Sequence, residues 1–251
     1  MRIAVCFFGL AYGYGKASTG RRERASKVQC LTSLKSIQHS IYLKNDCDTY
    51  FHAWIDSEER ENSLVKVLSP KSYIAEKQIE FDCDAQINDP NLYKKKLTKG
   101  PKTLRHSTLS QTYSRTRSLQ LAFDAMESGE ETYDFIIALR YDLHFMQTIK
   151  FETFDHDILY VPHNSKSPAT EKYPCDFFFV GNPNAMKYLL NVQEFLQNEI
   201  DNGVYKNGPE AMLHRYYNSL PDLKVCRLRG KMQYRVGFCL SRHKRGLKKL
   251  I

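Results

Sequence analysis

The sequence has no stretch approaching the ~20 consecutive apolar residues of a membrane-spanning helix, so none is expected. The opening residues MRIAVCFFGLAYGYGK hold only a short apolar run behind one arginine, which reads as a first strand and not as a signal peptide. Seven cysteines are present, an odd number, and no CxxC pair occurs. Their spacing suits neither a zinc cage nor a regular disulfide framework. Free thiols inside apolar runs point to a reducing compartment, so a cytoplasmic location is expected. The eight histidines form no HxH or HExxH, which argues against a zinc hydrolase, and no GxSxG occurs, which argues against an α/β-hydrolase. Past Asp222 acidic residues are absent altogether.

What is present is ordinary in bulk and uneven in place. Of 251 residues, 42% are hydrophobic and 26% charged, close to globular averages, so neither a disordered tail nor a coiled coil is expected. A chain this long buries a core without covalent staples. The formal charge is +9, yet ten basic residues follow Asp222, from Lys224 to Lys249, and the rest is one charge short of neutral. A protein that coats nucleic acid spreads its charge over a face, so no nucleic-acid partner is expected. A basic end suits a local anion, either a ligand's phosphates or an anionic membrane surface, unless it is only a solvated end. Residues 1–228 read as one domain and 229–251 as a basic C-terminal tail.

Patterning along the chain alternates strands with helices. Arg2 to Phe8 is a near-continuous apolar run, as in a strand buried on both faces, and it ends at Gly9. Helical spacing follows from Arg22 to about Tyr42, then a strand at Asp48 to Trp54 and a short one within Ser72 to Ile79. Asp82 to Arg105 reads as polar and irregular, with an exposed mobile loop from Lys94 through Gly100-Pro101 to Arg105. A helix is expected from Ser107 to its stop at Gly129, and a strand from Tyr133 to Leu139. Further strands are expected at Ile158 to Val161, Asp176 to Val180 and Leu223 to Leu228, with helices at Asn184 to Ile200 and Pro209 to Tyr217. The order implies an α/β protein with a largely parallel sheet.

Two places can carry chemistry. Gly9 to Gly15, followed by Lys16, comes directly after a strand, but five residues separate the outer glycines where a Walker A motif has four, and Ala17 replaces its Ser or Thr. A plain flexible turn and a nucleotide contact both remain open there. Further on, YDFIIALRYDL delivers Arg140 and Asp142 to the end of a buried strand, on the same side of an extended segment. Such charges are costly to bury unless they pair with each other or meet a ligand. In the second case the carboxylate would hold a divalent metal and the guanidinium would meet phosphate. His52, beside Trp54, reads as a satisfied core histidine.

Five segments in order resemble a group of small bacterial and viral glycosyltransferase-like proteins. DTYFHAW resembles its D-V-F-I-H-T-W strand, and Ser110-Gln111-Thr112-Tyr113-Ser114, with Arg117 beyond, its S-Q-x-Y-S helix. YDFIIALRYDL resembles its Y-D-x-V-I-R-x-R-x-D-L strand, Asp176 to Gly181 with Met186 its D-x-F-x-x-G strand, and Pro209 to Leu213 its P-E-x-x-L helix start. The resemblance implies a GT-A fold, a Rossmann-like sheet holding a nucleoside-diphosphate sugar, with Mn²⁺ or Mg²⁺ on a D-x-D motif. Only the last acid of that motif is present in Arg140-Tyr141-Asp142, so Asp142 is the expected metal ligand, ahead of the literal triplet Asp82-Cys83-Asp84.

On this reading Gly9, Gln111, Tyr113, Arg117, Arg140 and Asp142 bind the donor, and Asp176 or Glu210 takes the proton of the acceptor hydroxyl. A strand-end acid and favourable helix-start electrostatics are the structural explanations for the last two. The acceptor would be a glycan, glycolipid or protein, with the basic tail on an anionic membrane or over the diphosphate. Two other functions fit the residues: a sulfotransferase or small-molecule kinase using Lys16, and a non-catalytic carbohydrate- or membrane-binding module of the same fold.

Overall fold

A computed structural model describes residues 1–12, 27–81, 101–145, 147–162, 174–204, 209–228 and 238–240. β1 (Arg2–Leu10) is followed by α1 (Lys27–Ser40), β2 (Asp46–Trp54), α2 (Glu58–Leu68) and β3 (Ser72–Glu76). Next come α3 (Pro101–Glu127), β4 (Phe135–Arg140), β5 (Leu143–Phe145) and β6 (Ile158–Pro162). The remainder is β7 (Phe178–Gly181), α4 (Pro183–Lys187), α5 (Val192–Asp201), α6 (Pro209–Asn218), β8 (Lys224–Leu228) and β9 (Phe238–Leu240). Seven strands form one sheet in the order β3-β2-β1-β4-β7-β6-β8, while β5 and β9 pair as a separate antiparallel ribbon. In the large sheet only β7 runs against its neighbours. The protein is therefore α/β, with a mostly parallel mixed sheet flanked by helices.

Alternation along the strands explains the two-sided packing. In β1, Ile3, Val5 and Phe7 face one core with Leu34, Ile37, Leu64 and Leu68 from α1 and α2. Ala4, Cys6 and Phe8 face the other, built with α3, α4, α5 and α6. Side chains of a strand point alternately to opposite faces, so a run apolar at every position needs helices on both. The edge where the parallel strands begin is tied by ions: Asp48 Oδ2 accepts from the Tyr133 hydroxyl at 2.8 Å and Arg2 at 3.1 Å, with Lys71 Nζ at 3.2 Å. Glu131 pairs with the same two cations.

Several boundaries differ from the sequence expectation. Residues 101–105, expected in an irregular exposed loop, are the first turns of α3, with Pro101 at its start and Arg105 only 5% exposed. α2 was not anticipated, because only Leu64 and Leu68 of its eleven residues are buried. The single helix expected over 184–200 is α4, a 3₁₀ turn at Tyr188–Asn191 and α5. Strand β9 lies inside the stretch read as a tail and pairs with β5, Cys239 opposite His144. No described helix is long and apolar enough to cross a membrane.

Candidate functional site

β1 lies between β2 and β4, so the chain winds outward on one side of β1 and then resumes on the other. Open α/β sheets bind ligands at the carboxyl edge beside such a reversal. Gly9, Trp54, Glu76 and Arg140 stand at that edge, with Phe8 of β1 opposite Arg140 of β4. β7 runs the other way, so its start falls at the same edge: Leu139 lies opposite Phe178, and the Arg140 N–H donates to Phe177 O at 3.1 Å. The antiparallel strand thus brings Asp176 beside Arg140.

Arg140 grips Asp142 with both prongs, Nε to Oδ1 at 3.0 Å and Nη2 to Oδ2 at 2.7 Å. Their side chains are 17% and 21% exposed, so the pair is formed at the rim and not sealed in the core. Asp142 offers a single carboxylate whose two oxygens already accept from Arg140. A divalent ion fits it only when ligand phosphates complete the oxygen shell and draw Arg140 to themselves. Among the described residues no group of three or more His, Cys, Asp or Glu could hold a metal ion.

Helix α3 supplies the other wall, and it is unusually polar where it is buried. Seven of the fourteen buried polar residues described lie on it, Arg105, Thr108, Ser110, Thr112, Ser114, Arg115 and Ser118. Gln111 Nε2 donates to the carbonyl of Asp176 at 2.5 Å. Tyr113 stacks on Trp54, ring centres 5.4 Å apart, and Arg117 is exposed. Gln111 and Arg117 lie about 120° apart around the helix. The expected donor-binding group is thereby split: Gln111 turns to Asp176 and the β4–β7 side, Tyr113 to the β2 side.

Ser114 anchors the helix to the strand ends. The Gly9 N–H donates to its Oγ at 2.7 Å, and Oγ meets His52 Nδ1 at 2.7 Å. His52 Nε2 lies 2.8 Å from Glu76 Oε1. A carboxylate only accepts, so Nε2 carries the ring proton and Nδ1 accepts from the Ser114 hydroxyl. Burial, opposed in part by Glu76, holds the His52 pKa below its ordinary value, so the ring is neutral. Serine, histidine and glutamate are the parts of a nucleophilic triad, but Ser114 is fully buried and its oxygen is taken by Gly9. The trio braces the site and attacks nothing. His52 is the satisfied core histidine that the sequence suggests.

Gly9 has φ +100°, a backbone state that a side chain resists, and its N–H is fixed by Ser114. Glu210 is half-buried in the first turn of α6. Residues 13, 15, 16, 82–84, 231 and 235 lie outside the described residues, and with them the glycine-rich segment beyond Tyr12, the Asp82–Asp84 triplet and most of the basic end.

Sequence reasoning missed Arg115. It is 1% exposed, its guanidinium carbon lies 4.6 Å from the centre of the Phe179 ring, and Nε and one terminal nitrogen have no hydrogen-bond partner among the described residues. Desolvation holds its pKa below the usual value. The signal was there: Arg115 continues the stripe of Leu119, Ala122 and Met126 at helical spacing, a charge on an apolar face.

No family model matches the chain. Among curated proteins none is significantly similar to it.

Proposed function

We propose that the chain is a GT-A-type glycosyltransferase that moves a sugar from a nucleoside-diphosphate donor to a glycan, glycolipid or protein acceptor. The observation that carries this reading is the meeting of a glycine turn, an Arg–Asp pair and a separate carboxylate at one sheet edge, beside the chain reversal. The five family-like segments support it. Glycosyl transfer builds positive charge on the sugar and negative charge on the departing diphosphate. Gly9 leaves room for a phosphate against the backbone, Arg140 answers its charge, and Asp142 holds Mn²⁺ or Mg²⁺ together with the phosphate oxygens. Asp176, two residues before the antiparallel strand β7, takes the acceptor proton in preference to Glu210, because the chain there lies beside Arg140. The basic end serves an anionic membrane carrying lipid-linked acceptors.

Thermal unfolding with UDP-, GDP- and dTDP-sugars, each with and without Mn²⁺, tests the reading. One donor at about 100 times its dissociation constant is expected to add about 2.7 kcal/mol and raise Tm by several degrees. Arg140→Ala is expected to abolish that shift. If no nucleotide sugar moves the transition, the proposal fails.

A further inference from the structure

A polar ring sunk fully into a core is costly unless its partners repay it. His52 is 0% exposed, and both of its nitrogens are engaged, Nδ1 by Ser114 at 2.7 Å and Nε2 by Glu76 Oε1 at 2.8 Å. The second bond fixes a carboxylate at the rim. Glu76 ends β3 at the carboxyl edge, and its side chain is 33% exposed. His52 and Trp54 are two residues apart on β2, and Trp54 stands opposite Glu76, so all three lie on the face that α3 covers. Tyr113 packs beside them, stacked on Trp54 and edge-on to His52 with ring centres 5.5 Å apart. A carboxylate accepts at about four lone-pair sites. His52 takes one, and with the Tyr113 hydroxyl on a second, two remain at the rim.

Charge decides the kind of ligand. An anion is repelled by Glu76. A divalent ion would find one carboxylate beside an imidazole whose nitrogens are both engaged, too few oxygens to hold it. Hydroxyls suit the remaining sites, because a vicinal diol donates two hydrogen bonds to one carboxylate. Position decides which diol. Along the edge the strands run β3-β2-β1-β4-β7. On the glycosyltransferase reading the diphosphate lies at Gly9 of β1 and Arg140 of β4, and its sugar points on toward Asp176, just before β7. The nucleoside then extends the other way, over β2 toward β3. Two strand spacings of ~4.8 Å put Glu76 about 10 Å from β1. The atoms P–O–P–O–C–C–C–O, from the outer phosphorus to a ribose hydroxyl, cover that span. Between Arg140 and Glu76 stands Leu10, opposite Trp54 and 48% exposed, an apolar surface for the nucleoside to lie on.

We propose that Glu76 accepts hydrogen bonds from the ribose 2′ and 3′ hydroxyls of the donor, and that the protein thereby selects ribonucleotide over 2′-deoxyribonucleotide donors. This rests on the glycosyltransferase reading and narrows its substrate class. A carboxylate one-third exposed is rehydrated when the 2′ hydroxyl is missing. The discrimination is therefore on the order of 10-fold, well short of the ~10⁴-fold of a sealed polar pocket.

Titration calorimetry in the presence of Mn²⁺ tests this, on the parent and on Glu76→Gln, with UDP, GDP and the 2′-deoxy form of each. Glutamine keeps an oxygen for His52 but loses the charge and an acceptor. For the base that binds, the parent is expected to hold the ribose form ~10-fold or more tighter than the deoxy form. In Glu76→Gln that preference is expected to fall to about threefold or less, while the deoxy form binds within about threefold of its affinity for the parent. Equal affinities in the parent overturn the proposal without any variant and leave the glycosyltransferase reading standing. A ribose preference that survives in Glu76→Gln does the same. A variant that loses both forms alike assigns Glu76 to the fold of the site and also overturns it. Where only dTDP-sugars, which lack the 2′ hydroxyl, shift the thermal transition, the proposal falls and the broader reading stands; where no nucleotide binds, both fall.

Discussion

At the scale of single residues, His52 offers a measurable charge state. Its folded pKa lies below the ordinary 6.5, with desolvation the main cause and Glu76 acting against it. As pH falls through about 6.5 the unfolded chain therefore takes up this proton before the folded one does. Stability due to the neutral ring is complete above that pH and is lost below it. His52→Gln is expected to cost about 1–3 kcal/mol at pH 8, from broken buried hydrogen bonds. In urea titrations across pH 8 to 5 the gap to the parent should narrow below about pH 6.5. His144, also lowered by burial, contributes the same slope to both proteins. A gap that widens on acidification would contradict the neutral assignment.

Elements differ in how plainly the sequence announces them. β1 and β4 were legible because short apolar runs bounded by glycine or charge have few other uses in an α/β chain. The stop of α3 was legible too: Gly129 follows the helix with φ +78°. α2 was not, since its exposed face is charged and its buried one is two leucines. The β5–β9 ribbon joins three-residue strands far apart in sequence, and no local pattern encodes such a pairing. The candidate site was legible by strand ends, which gave Gly9, Arg140 and Asp142. The placement of Asp176 beside them depends on β7 running antiparallel, which local periodicity does not encode. Glycines make a test at this scale. An added Cβ at Gly9 meets nothing within 4 Å, so Gly9→Ala is opposed only by its φ, at about 1–2 kcal/mol. At Gly181 the Cβ would stand 3.0 Å from Ile158 O and 3.2 Å from Ala185 Cβ, and overpacking between β6 and α4 is expected to cost about 1–3 kcal/mol. Denaturant midpoints should fall for both, with donor-induced thermal shifts impaired only for Gly9→Ala.

On the scale of the whole molecule, the ionic network around Asp48 and the proposed site sit at opposite edges of the sheet. The nine residues of β1 separate them by about 26 Å at ~3.3 Å per residue. The Asp48 network with Arg2, Lys71 and Tyr133 joins four starting segments, so Asp48→Asn is expected to cost on the order of 2 kcal/mol, read as a lower urea midpoint. Ligand-induced thermal shifts should be preserved in the same variant; their loss would mean that the two edges are coupled.

The backward course of β7 has a further consequence. β6 finishes at the carboxyl rim of the parallel strands and β7 sets out from it, and the two stems are clasped there by the Cys175 amide on the Pro162 carbonyl at 2.8 Å. Eleven residues, 163–173, separate Pro162 from Pro174 in the sequence. Lengthening a connection whose two ends are already joined costs little closure entropy. Insertions between Pro162 and Pro174 are therefore expected to leave the urea midpoint almost unchanged, because the clasp already holds the two strand ends together.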